Sequence, residues 1–130
     1  MKKKSVLFIF LLVVVFAIFS VDIGINGRYF IRRDVRKAFV YRITGDCESF
    51  AWFTNKDTDK WKSDCETENN QSYAIRDFEI KNIAYNSGSD KAFVHVELTR
   101  NDLKGRGVKY PASYVLKKID GIWKIDENKR

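Results

Sequence analysis

The sequence predicts an α+β fold: an N-terminal membrane helix, then three helices packed on a bent four-stranded antiparallel sheet, cone-like in outline. Three observations carry this. Residues 6–21 form a nearly unbroken apolar run behind Lys2, Lys3 and Lys4. From residue 28 to about residue 68, apolar residues recur at helical spacing. From Tyr73 onward the period changes to two, and Asp120-Gly121 stands between the last two alternating runs as a hairpin signal.

The N-terminal segment sets the domain boundary. A span needs about 17–25 residues, and residues 5–25 reach that length if Asp22 sits at the interface. A cleaved signal peptide needs only about 7–15 apolar residues but wants small residues at its cleavage site; Ile18 and Ser20 match that poorly, and no Cys follows the run as a lipid anchor would require. Residues 1–25 are therefore read as a signal anchor and residues 26–130 as the folded domain. Three N-terminal lysines hold that end in the cytoplasm and place the domain outside, periplasmic or extracellular. Secretion after cleavage near Ser20 is the alternative.

Charge supports the same division. Lys and Arg number 24 against 17 Asp and Glu, a net charge of +7. Three of those charges precede the apolar run. A second knot, Arg28, Arg32, Arg33, Arg36 and Lys37, is opposed locally only by Asp34, and what remains is nearly neutral. Nucleic-acid binding needs a basic face on the folded domain itself. Basic residues beside an apolar segment instead favour anionic headgroups, so the expected contact of residues 5–25 and this knot is membrane lipid. With 45% hydrophobic residues and a single Pro, the chain is neither disordered nor collagen-like.

Each folded element has a local reason. Gly24 to Gly27 reads as a hinge. Residues 28–43 place Phe30/Ile31, Val35, Ala38/Phe39 and Ile43 on one stripe of an amphipathic helix whose other face is basic. Gly45 suits a left-handed stop and Asp46 a cap for a second helix over 47–53. Thr54-x-x-Asp57 reads as a capping box for a third over 56–68. Cys47 and Cys65, an even pair in an exported chain, are expected to form a disulfide between these two helices. In the first strand Phe78 and Ile80 alternate out of phase with Ile83 and Tyr85, which predicts a bulge or bend near Asn82. The second strand points Ala92, Val94, Val96 and Leu98 one way and Phe93, His95, Glu97 and Thr99 the other. Residues 110–119 and 122–125 complete a meander.

These residues resemble a known family. The break at Thr44-Gly45-Asp46, the strand Ala92-Phe93-Val94-x-Val96, and the ending Tyr114-x-Leu116-Lys117-x-x-Asp120-Gly121-x-Trp123-Lys124-Ile125 are similar to small exported members of the nuclear transport factor 2-like superfamily, the cystatin-like α+β cone. The resemblance covers residues 33–127. Its motifs are fold motifs without chemistry, and many such members have no known function. In layout alone, an anchor ahead of such a domain also resembles the inner-membrane scaffold subunit of type IV secretion systems.

Enzymes of that superfamily set an Asp or His base deep in the cone. His95 is the one His here, and its strand position favours a solvated or edge-packed side chain over a base. There is no nucleophile motif, phosphate loop or spaced metal-ligand set, so no catalytic residue, metal or cofactor is assigned. Phe50, Phe53, Trp61, Tyr114 and Trp123 are candidates to line the cone, as core or as pocket wall. Phe93, His95 and Glu97 form a candidate partner face. The function expected is a non-catalytic, membrane-tethered interaction or scaffold module of the bacterial cell envelope with an envelope protein as partner. The alternatives are a small-ligand binder or enzyme using the cone interior, or a secretion-machinery scaffold subunit.

Overall fold

A computed structural model describes residues 2–21, 27–71 and 74–129, with side chains over 6–15, 27–71 and 74–128. The elements run α1 (Lys2–Val21), α2 (Arg28–Thr44), α3 (Cys47–Trp52), α4 (Thr58–Asn69), β1 (Ile75–Tyr85), β2 (Lys91–Asn101), β3 (Gly107–Ile119) and β4 (Ile122–Lys129). The strands form one antiparallel sheet in chain order, and α2 packs across β1 and β4.

In α1 the described side chains, residues 6–15, are all exposed. Among the described residues no helix is both long and apolar enough to cross a membrane; these ten positions are roughly half of a span's length. The expected hinge lies outside the described residues except for Gly27. That residue has a φ of +56°, and the ring of Tyr85 lies where a Cβ would project.

Helix α2 buries Ile31, Val35, Ala38 and Phe39 of the expected stripe, with Phe30 and Ile43 partly buried against the core. Gly45 stops it in the left-handed conformation at φ 85°, and Asp46 N–H reaches back to Tyr41 O at 2.9 Å. The Asp46 carboxylate accepts Ser49 N–H at 3.1 Å and caps α3. The capping box expected at Thr54 is absent. Thr54 Oγ1 donates to Ala51 O at 2.6 Å, and α4 starts later, after Asp57 in a left-handed conformation with no side-chain cap bond. The cause is tertiary: residues 53–55 run beside β4. There Ile125 N–H donates to Phe53 O at 2.7 Å and Asn55 N–H to Ile125 O at 2.8 Å. That pairing covers part of the β4 edge and leaves Thr54 outside the helix. The disulfide Cys47–Cys65, with Cα atoms 5.7 Å apart, joins α3 to α4.

Strand β1 shows how the phase slip is resolved. The register jumps between Ile80/Val96 and Asn82/His95, so Lys81 is the extra residue of a bulge. With it, Phe78, Ile80, Ile83 and Tyr85 pair with Leu98, Val96, Val94 and Ala92 and all turn toward the helices. The start expected at Tyr73 lies outside the described residues. Asp120 and Gly121 both adopt positive φ, 51° and 80°, the conformation of a type I′ hairpin turn.

Candidate functional site

Four inward-facing series end in polar residues at the same place. The buried stripe of α2, Ile31, Val35 and Ala38, continues one turn to Arg42. On α4, Trp61 and Cys65 continue to Glu68. On β2 the inward alternation Val94, Val96, Leu98 continues to Arg100, and on β3 Tyr114 and Ala112 continue to Tyr110. Helical and strand periodicity thus deliver four polar groups to one site.

They bond to one another. Arg42 Nη2 donates to Glu68 Oε2 at 2.7 Å, and Arg100 Nη2 lies 3.6 Å from Glu68 Oε1. Arg100 donates to Tyr110 Oη from Nε at 3.1 Å and from Nη2 at 2.7 Å. The Arg42 guanidinium lies 5.1 Å from the Phe50 ring centroid, and its Nε is buried without a hydrogen-bond partner. An unmade bond at a buried charged group is costly. Beside them, burial pushes the Tyr114 hydroxyl up to about 12, with the Arg42 charge pulling the other way.

These groups wall a cavity of about 520 Å³ between α4 and the helix-facing side of the sheet. Trp61 and Asp64 of α4 line it opposite Leu98, Ala112 and Tyr114. A second groove of about 420 Å³ adjoins it, sharing Trp61, Asp64 and Asn128. The charges on the wall balance: Arg42 and Arg100 stand against Glu68 and Asp64. Helix α4 is held here by the disulfide, by Glu68, and by Trp61 against the rings of Phe50 and Tyr114, each with centroids 6.1 Å apart.

Of the aromatic residues singled out in the sequence, Trp61 and Tyr114 line the cavity. Phe50 and Trp123 do not; both are consumed by the core, Phe50 under Arg42 and Trp123 edge-on to Tyr85 at 5.4 Å. Phe53 is buried between Tyr41 and Trp52 and borders a shallow outer groove instead. Phe93, His95 and Glu97 sit together on the opposite face of the sheet. There His95 Nδ1 and Ser113 Oγ are 2.6 Å apart, and Lys109 Nζ is 3.8 Å from Glu97. His95 is exposed and points away from the cavity. Among the described residues, no cluster of three or more His, Cys, Asp or Glu could hold a metal ion. The sequence pattern alone did not single out Arg42, Glu68, Arg100 or Tyr110; Glu68 and Arg100 follow directly on the inward series of Trp61 and Cys65 and of Val94, Val96 and Leu98.

No protein-family model and no curated protein matches the sequence. Solved structures do match in fold. A protein of unknown function from Mycobacterium tuberculosis is 17% identical over 85% of this chain and 76% of its own, with a TM-score of 0.64. A nuclear transport factor 2-like protein of unknown function from Shewanella oneidensis is 15% identical over 78% of this chain and 99% of its own, at 0.62. A protein of unknown function with a cystatin-like fold from Nostoc punctiforme is 11% identical over 75% and 84%, at 0.58. At these identities the likeness is one of fold.

Proposed function

We propose, from the premise that the chain has the nuclear transport factor 2-like, cystatin-like fold, that it is a membrane-tethered binding module of the cell envelope. Helix α1 is the tether, and the cavity between α4 and the sheet is the recognition site. The observation that carries this is the cavity itself: about 520 Å³ walled by the Arg42–Glu68–Arg100–Tyr110 cluster. That volume falls in the range of small-molecule sites, and the wall is predominantly polar, with Arg42, Asp64, Glu68, Arg100 and Asn128 on it. The balanced wall charges favour a neutral or zwitterionic polar ligand over a strongly charged one. The tether is supported by the apolar run behind three lysines and by the exposed side chains of residues 6–15. No catalytic role is assigned to any residue. Holding the domain at a membrane raises its effective concentration toward other envelope components.

The test is native mass spectrometry of the full chain taken from the membranes of expressing cells. A retained adduct that disappears in Ala112→Trp, where an indole occupies the cavity, supports the reading. Recovery of the bare chain mass in both forms, or recovery of the chain only from the soluble fraction with Met1 intact, contradicts it.

A further inference from the structure

Apart from the cavity, the most distinctive surface is the outer side of α2. Arg28, Arg32, Arg36 and Lys37 are exposed there, and among the described residues none of the four has an ion-pair partner. Asp34, the one acidic residue of α2, is buried and cannot neutralise them, and it takes up Arg33 at 3.1 Å. The cations do not stand on a polar surface. A mostly apolar groove of about 480 Å³ runs among them past Tyr29, Val40 and Tyr41. Lys37 and Tyr41 also border the next groove, of about 400 Å³, which continues to Trp52. Lys124 lies over the exposed Trp52 ring at 4.4 Å. Glu48 is the one carboxylate lining either groove.

Cations interleaved with exposed Tyr, Trp and Val fit the boundary layer of a bilayer. Amphipathic rings settle at headgroup depth, and each nearby Lys or Arg gains from the negative surface potential. A nucleic-acid backbone would be served by the cations but not by the apolar grooves. The chain also limits where this surface can be. Seven residue steps separate Val21, the end of α1, from Arg28, the start of α2. Fully extended, they reach about 25 Å. If α1 is in a membrane, the start of α2 stays within about 25 Å of the end of α1, close enough for the basic face to reach the headgroups.

We propose that the outer face of α2, with Trp52 and Lys124, docks on an anionic lipid surface and so fixes the orientation of the tethered domain. This rests on the tether reading above and adds a second, charge-dependent contact to it.

The experiment uses the full chain reconstituted into vesicles of pure phosphatidylcholine or of phosphatidylcholine with phosphatidylglycerol. Each carries a quencher at headgroup depth. The signal is the tryptophan quenching that is lost in Trp52→Phe. Quenching at least severalfold stronger on the anionic vesicles is expected, weakened by high salt and abolished in Arg32→Glu/Arg36→Glu/Lys37→Glu. The variant Arg32→Lys/Arg36→Lys/Lys37→Arg keeps the charge and retains the quenching. All three positions are exposed, and near-UV circular dichroism checks that the fold persists. Equal quenching on both vesicle types, or quenching that survives charge reversal while the chain still floats with vesicles, overturns the docking proposal and leaves the tether intact. Failure of the wild-type chain to float with either vesicle type overturns the tether reading and the docking proposal with it.

Discussion

Asp34 Oδ2 accepts the backbone N–H of Trp123 at 2.9 Å, pinning the middle of α2 to the start of β4 across 89 residues of sequence. The carboxylate is buried beneath the helix and replaces a ladder partner that an edge strand lacks on this side. Asp34→Ala leaves that N–H unpaired and the buried space unfilled. We expect it to lower stability by about 2–3 kcal/mol, read as a fall in urea midpoint at constant m-value. A change below about 0.5 kcal/mol would show that the bond contributes little.

The disulfide encloses a sequence separation of 18 residues and secures α4, which carries one wall of the cavity. Chain-entropy arguments put its contribution at about 3 kcal/mol. Cys47→Ser and Cys65→Ser should each destabilise by about 2–4 kcal/mol, and the double variant by no more than the worse single one. Intact mass after alkylation without reductant should show no labelled thiol in the wild-type chain.

Arg42, Glu68 and Arg100 should behave as a unit. Glu68→Ala removes the partner of a buried guanidinium and is expected to cost about 2–3 kcal/mol, less than a fully buried pair because Glu68 is itself partly hydrated. In Arg42→Met/Glu68→Ala the loss should fall short of the two single losses added together by at least about 1 kcal/mol. Simple additivity in the denaturation cycle would mean that the two residues are not coupled.

Tyr114 gives a pH signature. Its folded hydroxyl is pushed up to about 12 by burial, against 10.0 for an unperturbed Tyr. Folding therefore favours the protonated form. The associated stability is fully present below pH 10 and is lost as pH rises toward 12, at about 1.4 kcal/mol per unit. Tyr114→Phe should flatten that part of the alkaline stability curve. The difference between the wild-type and Tyr114→Phe absorbance titrations at the tyrosinate band should show one hydroxyl ionising only well above pH 10. A Tyr114 contribution to that difference centred near pH 10 would contradict the burial.

Much of this architecture was legible because it is local. Gly45 and Asp46 are punctuated by their own backbone and side-chain bonds, and Asp120-Gly121 encodes its turn in two residues. The phase slip between Ile80 and Ile83 revealed a bulge or bend before its partner strand was known. Thr54 misled because its capping pattern is local while its structure is set by Ile125, 71 residues away. The polar cluster was missed for a different reason. Arg42, Glu68 and Arg100 look like ordinary surface charges; the α2 stripe was carried past Arg42 to Ile43, and the series of α4 and β2 were carried no further than Cys65 and Leu98. Extending each period by one step, from Ala38 to Arg42, from Cys65 to Glu68 and from Leu98 to Arg100, puts three charges on inward positions. Asp34 carried the same signal, lying between Ile31 and Val35 on the buried stripe, but counted only as the charge opposing the basic knot. What periodicity could not supply is that these steps converge, since that depends on how α4 leans on the sheet.

Under the proposed function, recognition takes place in the cavity and not on the opposite face of the sheet. Site-specific photocrosslinking of the membrane-expressed full chain tests it directly, with benzoylphenylalanine in place of Asp64 at the cavity wall or of His95 on the outer face. The expected result is an adduct, read as added mass, from position 64 and not from position 95, and its loss when Ala112→Trp is added. Adducts from position 95 with none from position 64 would contradict it and move recognition to the surface of Phe93, His95 and Glu97.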